Sequence, residues 1–399
     1  MRVSLSPVRN RPVVDTVSAP RSLLKPGGAR IVIGQETAAD GLVAPISPSP
    51  HALFGPRGAT LAGANGPLFV CDTGHHRLLI WTHPPERDRQ DADFVIGQAD
   101  FFREGRNGKT SPGAATLNVP TGVAAADGVL AVADAWNHRV LIWHGYPMRS
   151  NQPADVVLGQ NDFESVLANR GTGTAAADHL NWCYGVTIHD GSLYVADTGN
   201  RRVLKWLSIP ASNGTPADLV LGEVDFITRD ENAGRATDAA GMRWPHGIAI
   251  DRHGRFMVAD AGNNRVMVWD AMPDRNGAPC SFVLGQRDCF SVDHNQTAYY
   301  PAGHTLNMPY GLVLIGDTLI TADTANCRLV GHDLASLAMN APAVALAGQH
   351  TYQDKGENGG WGQIRRHTLC WPYGVSACEE TLVIADSGNN RVLLWEAQP

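Results

Sequence analysis

Residues 133–143 read ADAWNHRVLIW, and the same phrase returns five times: CDTGHHRLLIW from Cys71, ADTGNRRVLKW from Ala196, ADAGNNRVMVW from Ala259, ADTANCRLVGH from Ala322 and ADSGNNRVLLW from Ala385. Each copy passes from an apolar alternation through Asp, two small or polar residues, Asn in most copies, a variable residue and Arg into a second apolar run. The Asp residues stand at Asp72, Asp134, Asp197, Asp260, Asp323 and Asp386, a step of 62 residues once and 63 thereafter. A period held that closely marks a repeat architecture.

Two further phrases keep the same step. Short β-branched runs closed by Gly recur at Ile31–Gln35, Val95–Gln98, Val156–Gln160, Leu219–Glu223, Phe282–Gln286 and Val344–Gln349. A Pro-x-Gly phrase precedes each copy, as in LNVPTGV from Leu117 and LCWPYGV from Leu369. Every unit therefore holds four short apolar runs separated by Gly, Asp, Asn and Pro, which is strand and turn chemistry. No segment sustains the 3.6-residue period of a substantial helix. The expected fold is all-β: a six-bladed β-propeller of four-stranded antiparallel blades. In the second unit the strands are expected at Gly122–Ala126, Val129–Asp134, Arg139–His144 and Val156–Gln160, innermost to outermost.

Closure of the ring is also legible. The chain carries an extra outer strand, Ile31–Gln35, before the first unit, and the last unit stops after its third strand at Trp395. The N-terminal strand should complete the final blade, so residues 29–399 form the propeller and residues 1–28 an N-terminal arm. Gly in the repeated phrases suits tight turns or close approach between blades, and Asn or Asp in the turn can bond its own backbone. The Asp–Arg pairs should bridge within or between blades. The recurrent third-strand tryptophans (Trp81, Trp143, Trp206, Trp269, Trp395) should pack between blades; the fifth unit has His332 there.

The Asp-x-x-Asn-x-Arg-Val turn, preceded by Pro-x-Gly-Val and a small apolar strand, resembles the NHL repeat family over Ala29 to Trp395. The Gln98–Phe101, Gln160–Phe163 and Glu223–Phe226 segments are similar to the LGQxDF phrase of its long-repeat bacterial members. The resemblance implies a binding or scaffold role for most members, RNA binding for some and enzymatic activity for a minority. Fold alone does not choose among them.

With 399 residues, 43% hydrophobic, no apolar stretch spans a membrane, and the first thirty residues lack a continuous apolar core of a secretory signal. Seven cysteines without CxxC spacing argue against a disulfide framework, hence for a cytoplasmic location. A net charge of −7 argues against nucleic acid. The basic loop residues Arg103, Arg106, Lys109, Arg365 and Arg366 are matched by Asp225, Asp230, Glu231 and Asp238.

Loops of about twenty residues (Asp100–Val119, Asp162–Trp182, Asp225–Trp244, Asp288–Met308, Tyr352–Trp371) share one face with the Asp-x-x-Asn turns, whereas the opposite face has short turns such as Asp127-Gly128. Binding residues collect on long loops over a rigid scaffold. At the mouth of the axis lies the variable residue of Pro-x-Gly: Arg57, Thr121, Tyr184, His246, Tyr310 and Tyr373, backed by Trp182, Trp244 and Trp371. Such aromatic and polar residues suit a protein, peptide or small ligand; they equally suit a plug for the channel. A second reading invokes a transition metal (zinc, iron or copper). In the peptidylglycine amidating lyases, which resemble NHL propellers, histidines at the Pro-x-Gly position hold a central zinc. Here only His246 matches; Cys183, Cys370, His304 and His367 fall near it in the repeat frame and complete a candidate ligand set for a lyase or hydrolase. A structural zinc needs four ligands and a catalytic one three. No nucleophile elbow, HExxH or phosphate loop is present.

Overall fold

A computed structural model describes residues 20–35 and 46–398. They form six antiparallel meanders arranged in a ring, each of four strands. Blade 2 is representative, with strands Pro120–Ala126, Val129–Asp134, Arg139–Trp143 and Val156–Leu158 from the axis outward. Its central hairpin pairs Leu130 with Trp143 and Asp134 with Arg139. The residue after the Asp-x-x-Asn turn is left-handed in every blade, from His76 to Asn390. The 1–2 hairpin at Asp127-Gly128 has positive φ at both positions, as a two-residue primed turn requires.

The cores lie in the seams. Phe69, Ile80 and Ile96 of blade 1 pack with Leu130, Val132 and Trp143 of blade 2, and equivalent clusters fill the other five seams. The five tryptophans are buried there, and each indole N–H donates to a backbone carbonyl, for example Trp143 to Gln152 at 3.1 Å. His332 occupies the equivalent place in blade 5 and is also buried.

Ile31–Gly34 pairs antiparallel with Arg391–Glu396 and so supplies the outer strand of blade 6. The tie extends further back. Arg21–Ser22 adds a parallel fifth strand to blade 5, Leu24 bridges to Ala397, and the Trp395 indole donates to the Lys25 carbonyl at 2.8 Å. Of the segment 1–28 expected as an arm, Pro20–Gly28 therefore lies against blades 5 and 6; residues 1–19 fall outside the described part.

The Gly of Pro-x-Gly is required by packing between blades. A Cβ on Gly58 would lie 2.2 Å from the Thr121 carbonyl oxygen, on Gly185 2.1 Å from that of His246, and on Gly374 2.2 Å from that of Arg57. The same contact recurs at Gly122, Gly247 and Gly311, so each inner strand presses on the ring residue of the next blade, and blade 6 on blade 1. No side chain fits in that gap.

The repeated Asp is a buried junction. In blade 2, Asp134 accepts the Asn118 N–H at 2.6 Å, the Asn137 amide at 2.7 Å and Arg139 Nε at 2.8 Å. All six Asp–Arg pairs are essentially without solvent contact, at 2.6–3.0 Å. The outer nitrogens of Arg139 donate to the carbonyls of Phe163, Gly113 and Thr116, fixing the long loops. Asn137 bonds Asp134 and the loop residue Asn107, so its amide serves the loop where the sequence suggested its own backbone.

Candidate functional site

The Asn137–Asn107 contact and its equivalents in blades 3 to 6 bind each long loop to an Asp-x-x-Asn turn, which places both on one face. At the centre of that face the inner strands bring the ring residues together. Tyr310 and Tyr373 stack with centroids 4.1 Å apart, and His246 packs on Tyr310 at 4.4 Å and Tyr184 at 5.1 Å. The Arg57 guanidinium lies over Tyr373 at 4.8 Å and Tyr184 at 5.7 Å, a cation–π arrangement. Below this layer the axial channel narrows to about 100 Å³, with Thr121 in its wall. Above it a cavity of about 520 Å³ opens towards blades 3 and 4.

That cavity is lined by Arg57, Tyr184, His246, Tyr310 and Tyr373 of the ring, by Trp182 and Trp244, and by Asn181, Thr198, Gly199 and Arg201. Trp371 stands exposed outside it, and Thr121 is buried beneath. The same ring side chains thus line both the axial channel and the concavity above it. His246 Nδ1 lies 2.9 Å from the Trp244 carbonyl; since a carbonyl can only accept, Nδ1 carries the proton and Nε2 a lone pair. Burial, with Arg57 beside it, takes this histidine down to about 3, so the ring is neutral. Burial also pushes Tyr373 well above the usual phenol range.

The proposed metal donors are dispersed. Cys183 is buried in the blade 2–3 seam and its thiol donates to the Arg139 carbonyl at 3.2 Å. Burial holds that thiol protonated, well above its ordinary value. The neighbouring Cys327 thiol and burial raise the Cys370 thiol well above its ordinary value, so it too stays protonated. His367 lines a separate peripheral hollow with Gln349 and His350, and His304 lies outside the central cavity. Among the described residues no group of three or more His, Cys, Asp or Glu side chains is arranged to hold a metal ion. The residues around His246 do not make the donor set that zinc needs.

Arg201, Asn181, Thr198 and Gly199 escaped the sequence reading. The signal lay in the residue before the repeated Arg, which reads His76, His138, Arg201, Asn264, Cys327 and Asn390. In five blades this side chain accepts a backbone N–H from the next blade: His76 from Val119 (3.1 Å), His138 from Trp182 (3.0 Å), Asn264 from Met308 (2.8 Å), Cys327 from Trp371 (3.5 Å) and Asn390 from Gly55 (2.8 Å). The donor residue is left-handed in all five. Arginine has no acceptor atom. At the blade 3–4 seam the bond is missing, Trp244 is not left-handed, and its N–H turns to Asp260 of its own blade.

Blade 3 departs a second time. Gln98, Gln160, Gln286 and Gln349 each donate their amide to turn carbonyls and to one long-loop carbonyl, as Gln98 does to His75, His76 and Gly105. Glu223 holds that place in blade 3, is 1% exposed, and both its carboxylate oxygens lack a partner. Burial raises its pKa to about 7. A raised carboxylate pKa means stability that is full below the unfolded value near 4.5 and is lost as pH rises through 7. Replacing Glu223 by Gln should therefore stabilise the protein by about 1–3 kcal/mol at pH 8, with the gain shrinking at pH 5. Denaturant unfolding of both proteins at the two pH values measures it; equal gains at both would exclude this account.

The profile of the NHL repeat matches residues 117–143 and 242–269, which run from the Pro-x-Gly phrase to the third-strand tryptophan in blades 2 and 4. No curated protein matches the chain. Among solved structures, hydrazine synthase of Kuenenia stuttgartiensis is similar over 86% of this chain and 96% of its own at 12% identity, with a TM-score of 0.50. The WD40 β-propeller domain of Doa1 aligns over 92% and 96% at 8% identity, with a TM-score of 0.45. At such identities the likeness is one of fold.

Proposed function

Since this chain is an NHL-repeat six-bladed β-propeller, we propose that it is a binding or scaffold protein whose long-loop face and central mouth hold a protein, peptide or small ligand. The cavity of about 520 Å³ above the Tyr–His–Tyr stack carries this reading. It falls within the usual size range of ligand sites, is walled by rigid aromatic rings, and stands on inner strands that neighbouring blades hold in place. The half-exposed indoles of Trp182 and Trp244 frame its rim. No helix among the described residues is long and apolar enough to cross a membrane. The odd cysteine count continues to favour a cytoplasmic setting for this role.

The alternative, a metal-dependent lyase or hydrolase, draws on His246 alone at the centre. Protein purified without an affinity tag from its own host should carry its partner or ligand, identified by native mass spectrometry. The double variant Tyr310→Ala/Tyr373→Ala should release that partner with at least about a tenfold loss of affinity, while circular dichroism stays unchanged. Retention of the partner by the folded double variant would overturn the placement of the site. Stoichiometric zinc, iron or copper that is lost on His246→Ala would replace this reading by the metal one.

A further inference from the structure

The cavity at the blade 3–4 seam has a chemical bias. Two guanidinium groups, Arg57 and Arg201, line it together with three tyrosine rings and two indoles, and no carboxylate is among the lining residues. Neither arginine is ion-paired among the described residues. Arg57 is held by ring faces. Arg201 donates one terminal nitrogen to the Gly199 carbonyl at 2.6 Å, and its Nε is buried with no partner. A buried guanidinium N–H without an acceptor is costly unless something supplies one. The six arginines one position later, at the repeated Arg, are all paired with Asp, so Arg201 is the exception in its surroundings.

This residue also stands where the blade 3–4 seam departs from the other five. An acceptor at 201 would take the Trp244 N–H, as Asn264 takes that of Met308. Arginine cannot, and the Trp244 N–H bonds Asp260 of its own blade instead, while the inner strands of blades 3 and 4 stay in contact at Gly185 and His246. The third feature is His246, whose Nδ1–H is committed to Trp244 and whose Nε2 is left as an acceptor beside the aromatic rings.

Resting on the binding reading above, we infer that this cavity recognises a carboxylate carried on a flat aromatic body, either a free aromatic acid or the C-terminal aromatic residue of a peptide. The guanidinium groups take the carboxylate, since a planar fork of donors matches its two oxygens. The Trp182 and Trp244 indoles and the tyrosine rings take the flat body. His246 accepts a hydrogen bond from an N–H or O–H on that body.

The test uses the full chain and two probe pairs in titration calorimetry. Indole-3-acetate against indole-3-acetamide represents a free acid, and N-acetyltryptophan against N-acetyltryptophanamide a peptide C-terminus. At least one acid should bind more tightly than its amide by roughly 10- to 100-fold, and the preferred pair identifies the source. Arg201→Asn should abolish this preference while keeping or raising the melting temperature, because Asn is native at this position in blades 4 and 6. Arg201→Lys should retain a weakened preference, which separates charge from a general disturbance. Equal binding of acid and amide, no binding of either acid, or full binding by folded Arg201→Asn would overturn the inference. If the amides bind as well as the acids and Tyr310→Ala/Tyr373→Ala removes both, the mouth is a binding site without anion selectivity. If that double variant changes nothing, the binding reading itself has failed.

Discussion

Deletion of residues 1–35 is expected to cost more than any single substitution: a melting temperature lower by about 15 °C or more, or a chain recovered only as aggregate. The deleted segment contributes Leu23, Leu24, Ile31, Val32 and Ile33, all buried in the blade 5–6 and blade 6–1 seams. At about 1.5–3 kcal/mol per buried aliphatic side chain the loss is on the order of 8–15 kcal/mol, an upper bound because unfolded chains already bury some surface. That matches the whole stability of a typical domain. The deletion also strips the ladder of Arg391–Glu396, leaving an unpaired edge on blade 6. Because such a chain could fail to fold for other reasons, two milder measurements accompany it. Ile33→Ala should destabilise by about 2–5 kcal/mol, and a synthetic peptide of residues 20–35 should restore part of the lost stability in trans. Thermal unfolding left unaltered by the deletion would show that the ring does not depend on this strand.

The second large effect is expected from Asp134→Ala, about 3–5 kcal/mol of destabilisation in denaturant unfolding. Removing the carboxylate leaves the Arg139 charge buried, and orphans the Asn118 N–H and one N–H of the Asn137 amide. An isolated buried ion pair can often be exchanged for apolar residues at little cost. Here that exchange should fail. Arg139 also holds the carbonyls of Gly113, Thr116 and Phe163, so Asp134→Ala/Arg139→Met should be no more stable than Asp134→Ala alone. Arg103→Ala serves as the control; its ion pair with Asp100 is solvent-exposed, and the change should stay within about 0.5 kcal/mol. Recovery of wild-type stability by the Asp134→Ala/Arg139→Met double variant would show that the loop carbonyls find water or other donors. Blades 1 and 3 to 6 repeat the Asp–Arg pair, so the result should transfer to Asp72, Asp197, Asp260, Asp323 and Asp386.

The blade count, the strand order and the membership of the axial ring were written in the sequence, because a strict period exposes whatever every unit must share. The Pro-x-Gly glycines recur since each meets a neighbouring carbonyl, and the Asp–Arg pairs recur since each ties down a loop. The strand Ile31–Gly34 could be assigned to blade 6 by counting alone. Periodicity says nothing of places where one unit departs from the rest. The tertiary structure decided that the departures at Cys183 and Cys370 end as protonated thiols in separate seams, and that Arg21–Lys25 joins the closure. It also decided that Arg201 lines a cavity. The physical reason lies in hydrogen bonds between residues some 44 positions apart. Whether an N–H at a seam finds an acceptor depends on the geometry of two blades at once, and where an arginine stands in place of the acceptor found at the other five seams, the N–H turns to its own blade beside the cavity.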